Sequence, residues 1–549
     1  MTVFGQIRGW DIPAYEACAC ACDEAGEFLV VGSYRHRDLD DGGSSEHQES
    51  GSSSGLRKNT VSADASEPRL EIESGAFRDS LSCVIDVPSS GDTGVENALH
   101  IDCEQLWDTA REATTESSPK SVKPVRSRWR FPRDDTRLGE LCVYQILARE
   151  QGDNTLEDHA QLPRCLSRLA LPGGCYDVWY DKDMKTFLAV CTNGDIFGLQ
   201  VQRSVTLLGD EGHCESDRTT TVQCRLMRLP GLLRRLSSDP HLAGEEKSED
   251  LVPLLTHIKT GKQCAGITDQ AGRLHLWTEK SKLLNFDGTA ADLCKQVEQG
   301  PDGYSCIQAH ASDAAAWTCA FSPDESLVAS GGDDGVLCVF ARREEENSEQ
   351  PWLCKWQSTT RDHSAGVTSA LFLDTDTLVS GSYDEKVRIW KRADGNGSSL
   401  EQVNIQISLV FESTRTGDGI YRLLPLLAPH QDNGTKEVAE YAGESGIGHA
   451  QYSFWDKNCS ETDHANSAAF LVANIREGYS VYTANGVRLC DPLVPWESEV
   501  NKPGAEADEQ EVEEDPDAGP LAYGMAFSPA NATLFLTCFR NRMYRTTLS

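Results

Sequence analysis

The sequence predicts an all-β fold, a seven-bladed β-propeller interrupted by long acidic and Ser-rich insertions that are expected to be disordered. Three observations carry this. Segments of alternating apolar residues recur around Gly- or Asn-bearing turns along the 549-residue chain. One pattern occurs twice in register: His310, Ser330, Asp334 and Phe340, then His363, Ser380, Asp384 and Trp390. The Ser-to-Asp interval is four residues and the Asp-to-ring interval six in both copies. Finally, 45 Gly against 5 Met fits turn-rich strands better than helices.

Seven strand–turn–strand units follow in order: 14–35 with 141–146, 176–201, 254–278, 315–342, 367–391, 419–482 and 523–548. The first is split by an insertion. The second reads FLAVCTNGDIFGLQV and the sixth FLVANIREGYSVY, each a period-2 strand, a tight turn and a second strand. The fourth and fifth, VASGGDDGVLCVF and LVSGSYDEKVRIW, carry the His–Ser–Asp–aromatic set that marks a WD40 blade. Counting six residues on from the turn gives Leu199, Trp277 and Thr547 in the second, third and seventh units, so the outer units have lost parts of that set. Their turns must be held by packing or by Gly and Asn geometry. The last unit ends before a fourth strand, and residues 3–7 are expected to supply it and close the ring. The whole of 1–549 reads as one propeller domain, because blades add up to a single repeat fold. The insertions are 36–80, 88–135, 210–250, 428–466 and 497–519.

The net charge is −35, and residues 497–517 hold ten acids against Lys502, a local −9. That balance argues against nucleic acid, whose phosphates call for basic grooves. It suits a basic protein partner or a cationic group. No apolar run approaches the roughly 20 residues that span a bilayer. The first ten residues lack a secretory signal pattern. A cytoplasmic location with free buried thiols is expected for the 20 Cys.

His310 and His363 have the look of general bases, but their spacing assigns them to buried hydrogen-bonded staples between blades. Gly51–Gly55 (GSSSG) lacks the strand–turn–helix context of a nucleophile elbow. Cys18, Cys20 and Cys22 would face one side of a strand, as core rather than as a metal site. Neither a metal nor a cofactor is expected. Asp333, Tyr383 and Glu385 flank the tetrad aspartates on turns of the propeller's top face. Asp177 and Arg422 begin inner strands near the same face. Such a ring of carboxylates and aromatics suits a cation, or activates a water.

In that order, AWTCAFSPDESLVASGGDDGVLCVF, RDHSAGVTSALF, SGSYDEKVRIW and GDGIYRLLPL resemble consecutive blocks of the diphthine methyl ester hydrolase family. PAYEACACACDEAGEFLVVGSYRH, DQAGRLHLW and LAYGMAFSP add colinear matches, so the resemblance touches most of 13–548 outside the insertions. The chain departs at Tyr421 and Phe340, where the family usually has Trp, and at CFRN (538–541), where it usually has Ser-Phe-Tyr-Asp. The resemblance implies a WD40 enzyme that removes the methyl ester of methylated diphthine on translation elongation factor 2. The trimethylammonium of that side chain suits the acidic, aromatic top face, with Asp177, Tyr383 and Arg422 as substrate-binding candidates. For the chemistry, one route is water activated by Asp333 or Glu385 as base, with N–H groups of the Gly-rich turns as oxyanion donors. A second has Ser382 as nucleophile. The alternative class is a non-catalytic WD40 scaffold, for example in trafficking or ubiquitin-ligase adaptor complexes.

Overall fold

A computed structural model describes residues 4, 7–11, 16–36, 69–74, 79–87, 99–102, 137–146, 163–171, 173–207, 218–229, 254–281, 304–343, 351–359, 362–392, 407–412, 419–426, 469–490, 492–495, 522–530, 532–538 and 542–548. The described strands group into seven antiparallel-based sheets. Their first strands are Glu16–Cys22, Cys175–Asp181, Leu255–Thr260, Ala316–Phe321, Val367–Phe372, Ile420–Leu426 and Ala522–Ser528. Each packs against the next, and the last against the first, in a closed cycle. The fold is a WD40-type propeller whose first strands line a central channel. Core side chains fill the gaps between neighbouring sheets: Leu188, Val190 and Ile196 of the second meet Ile258, Ala265 and Trp277 of the third.

Closure uses the N-terminus, at a register different from the one expected. The fourth strand of the seventh sheet is Arg8–Asp11, paired with Arg542–Thr547, and Phe4 bridges Leu548 beyond it. The ring of Trp10 explains the shift from 3–7. It is buried among Leu29, Phe535 and Met543, so the largest apolar side chain of the segment sets the pairing.

The insertions also differ from expectation. Arg69–Ser74 and most of 210–250's first part, Arg218–Leu229, extend the second sheet to six strands together with Asp79–Val87. Leu99–Asp102 adds a parallel edge strand to the first sheet beside Arg164–Leu171. Segments 428–466 and 497–519 lie outside the described residues.

The paired staples form as their spacing implies. His310 Nε2 lies 3.0 Å from Ser330 Oγ and Nδ1 3.0 Å from Asp334. His363 repeats this at 2.9 and 3.3 Å, and Trp390 Nε1 donates to Ser380 Oγ at 2.8 Å. The Phe340 side chain has no N–H to match the Trp390 indole, so the first chain stops at Ser330. Sequence spacing missed a related buried pair, this one within a single hairpin. In the third sheet Asp269, two residues before the Ala271 turn position, accepts from Ala271 N and Arg273 N and lies 3.0 Å from His275 Nε2. Burial works against charge on His275, but the Asp269 bond overrides it and holds its pKa up at about 9.

Candidate functional site

One irregularity recurs at the same place in every sheet. The pairing of each first strand with its neighbour slips by one residue near the strand's start, leaving one extra residue out of register. Such β-bulges re-aim a side chain. The bulged residues are Cys18, Tyr176, Thr256, Trp317, Thr368 and Tyr421, with Tyr523 or Gly524 in the seventh sheet. Three of the small ones tie neighbouring sheets together. Cys18 Sγ donates to Cys175 O at 2.8 Å, Thr368 Oγ1 to Ile420 O at 2.6 Å, and Thr256 Oγ1 to Ala316 O. The aromatic ones gather at the channel mouth. Tyr421 and Tyr523 meet edge to face at 5.0 Å, and Tyr176 meets Tyr34 at 5.7 Å. The bulge at Cys18 also overturns the expected single face of the cysteines. Cys18 turns toward Cys175 in the second sheet, while Cys20 turns toward Phe535 in the seventh.

In two sheets whose bulged residue is small, another residue of the sheet supplies an aromatic ring: Tyr34, on the strand Phe28–His36 of the first, and Tyr383, on a turn of the fifth. Tyr383 is 41% exposed, a large ring held open to solvent. Asp333 occupies the equivalent turn position in the fourth sheet. Asp333 N donates to Ala315 O and Tyr383 N to Gly366 O, the same bond one blade apart. Each side chain lies over a glycine that precedes the next first strand. A Cβ on Gly366 would sit 3.0 Å from Asp333 Oδ1, and one on Gly419 would sit 3.0 Å from the Tyr383 ring. Asp333 is exposed and its Oδ1 accepts the Trp317 indole N–H. Burial first, then the neighbouring Asp333 and Tyr176, pushes the Tyr383 phenol above its usual pKa. The mouth is therefore a carboxylate bordered by protonated tyrosines and a tryptophan.

The remaining candidates fall elsewhere. Glu385 has φ +67°, and Glu385 N donates to Ser382 O as Gly335 N (φ +71°) does to Gly332 O. Glu385 therefore fills the left-handed turn position that glycine fills one blade earlier, which costs a side-chain-bearing residue about 1 kcal/mol. Ser382 is buried, and its hydroxyl donates to Ala365 O and accepts from Asp384 N, so the turn uses it up. The N–H groups of Asp333, Gly335 and Val336 are likewise spent within the fourth-sheet turn. These N–H groups, the expected oxyanion donors, are therefore already engaged.

Below the rim, Asp177 and Arg422 meet across the channel, from the second and sixth sheets. Arg422 Nη2 donates to Asp177 Oδ1, His257 Nδ1 lies 2.6 Å from Oδ2, and Ile258 N donates to Oδ2 at 3.1 Å. Burial disfavours the charged carboxylate, yet Arg422 and then His257 override it and hold Asp177 well below the usual range. Its charge is thus spent inside the protein. Beside it, Lys259 Nζ sits 3.5 Å from the centroid of the Trp179 ring. Sequence reasoning missed Trp317, Tyr421, Tyr523, His257 and Lys259. The signal for the first three was available: each is an aromatic second residue of an inner strand, as in AWT, IYR and AYG.

Among known proteins, the profile of the WD40 family (WD domain, G-beta repeat) matches residues 304–340 and 354–391. A curated relative, a ribosome biogenesis protein WDR12 homolog of Drosophila erecta, is 25% identical over 157 residues, 27% of this chain. The chain spans 31% of that protein's length. Solved structures that resemble it include Sqt1 of Chaetomium thermophilum, at 10% identity and TM-score 0.44, covering 100% of this chain and 98% of that one. The same protein bound to the N-terminus of ribosomal protein L10 gives 10% identity and TM-score 0.42, with 98% of each chain covered. A chain of the mitotic checkpoint complex gives 13% identity and TM-score 0.37, covering 75% of this chain and 87% of that one.

Proposed function

We propose that this WD40 propeller hydrolyses the methyl ester of methylated diphthine on translation elongation factor 2, acting in the cytoplasm through its channel mouth. The observation that carries the reading is the exposed Asp333 carboxylate within a rim of Trp317, Tyr383, Tyr176 and Tyr421. A trimethylammonium has no N–H to donate and is held by aromatic faces and a nearby negative charge. In this reading Asp333 takes a proton from a water that attacks the ester carbonyl. Tyrosine hydroxyls, kept protonated by burial, donate to the developing oxyanion. The intermediate collapses with loss of methoxide, which takes the proton from Asp333 and leaves as methanol. The acid formed loses its own proton to solvent, leaving diphthine as a carboxylate.

The test is to incubate the purified protein with elongation factor 2 carrying the ester and follow the modified peptide by mass spectrometry. The ester should disappear, and Asp333→Asn should slow its loss by at least about 100-fold, the usual weight of a general base. Glu385→Gln and Glu385→Gly separate the two candidate bases, since Glu385 belongs to the turn and should be dispensable. An untouched ester with the wild-type protein would overturn the enzymatic reading and leave a WD40 scaffold.

A further inference from the structure

The channel beneath the rim carries more positive than negative charge. Arg422 and Lys259 are both there, and Asp177, the carboxylate that faces them, is already engaged by Arg422 and His257. Lys259 has no such partner: among the described residues no carboxylate lies within ion-pair distance of Nζ, which rests on Trp179. The strands on either side offer it nothing further. From the second sheet comes Asp177, from the fourth the neutral thiol of Cys319, pushed up to about 12, and from the sixth Arg422. Lys259 is half-buried. A cation removed from bulk water without a counter-ion is expensive unless a ligand supplies one.

We infer that Lys259 and Arg422 form an anion site in the channel, which takes the carboxylate end of a zwitterionic ligand whose cationic end rests on the aromatic rim. The cationic half of this inference rests on the esterase reading; the anionic half rests on the charges in the channel alone. Ester hydrolysis creates such a ligand, because the neutral ester becomes a carboxylate next to a trimethylammonium. The same site would therefore favour product over substrate and retain the freed acid. Desolvation, and then the Arg422 charge, brings the Lys259 pKa down to about 8. Anion affinity should consequently fall as pH rises through that value and the ammonium loses its proton.

Three probes separate the halves in ligand-observed NMR titrations: acetate, tetramethylammonium and 4-(trimethylammonio)butanoate. Lys259→Met, which preserves the apolar contact with Trp179, should weaken acetate and the butanoate at least tenfold and leave tetramethylammonium unchanged. Tyr383→Ala should weaken tetramethylammonium and spare acetate. Lys259→Arg should keep acetate binding and flatten its decline between pH 7 and pH 9. Absence of acetate binding to the wild-type protein, or equal binding to Lys259→Met, overturns the anion site. Acetate and butanoate binding together with an untouched diphthine ester would sink the esterase reading while leaving the site in place.

Discussion

Asp177→Asn should destabilise the protein by about 3–5 kcal/mol at neutral pH, the usual cost of removing one partner from a buried ion pair. The carboxylate is 1% exposed and holds Arg422, His257 and the Ile258 amide, so one substitution loosens three sheets at once. Asparagine keeps the shape and leaves the guanidinium without its counter-charge. The pH dependence follows from the depressed pKa of the native carboxyl. In the unfolded chain Asp titrates near 3.9, whereas the folded group lies well below it. The stabilisation is therefore complete above about pH 5 and is lost as pH falls toward the folded pKa. Urea midpoints of wild type and Asp177→Asn should lie far apart at pH 7, and the gap should begin to close only below about pH 4, as the unfolded carboxyl takes up its proton. A constant gap would mean that the effect is packing rather than charge. Arg422→Gln should be costly too, and the double variant should cost less than the sum, because each single change strands the other charge.

That ion pair also shows what kind of information the sequence carried. Its two members are 245 residues apart, and both were legible as residues at the starts of inner strands near the top face. What was hidden is that they touch, because contact across a ring depends on the radius of the closed propeller, and no local spacing records that radius. The tetrads of the fourth and fifth sheets were legible because Ser, Asp and ring lie within one hairpin, where spacing is geometry. Asp269 and His275 form a buried Asp–His pair within one hairpin at other offsets, so a fixed template passes over them. Glu385 shows a feature that alignment reveals: setting GGDDG over GSYDE puts it under Gly335, at a left-handed turn position. The bulges left no such trace. One extra residue in an inner strand changes no apolar count, yet it turns Trp317, Tyr421 and Tyr176 toward the mouth.

Removing residues 1–11 should be the more damaging of the two changes. Arg8–Asp11 is the outer strand of the seventh sheet, and its loss exposes the edge of Arg542–Thr547 along its length. Trp10 leaves the cluster of Leu29, Phe535, Met543 and Tyr144, which lies between the seventh sheet and the first. Truncating a buried Trp alone costs about 3–5 kcal/mol, and the deletion adds the lost ladder to that. The ring is closed at this one sheet by chain segments from opposite ends, so the damage should spread to the channel mouth, where Tyr523 of the same sheet packs on Tyr421. The expected result is a lowered urea midpoint together with concentration-dependent self-association through the bare edge, measured by light scattering. Trp10→Ala in the full chain distinguishes the causes: it should lower the midpoint without self-association, since the strand still covers the edge. An eleven-residue deletion with the wild-type midpoint would show that the first and seventh sheets hold together without the strand, and that Trp10 packs on a core already complete.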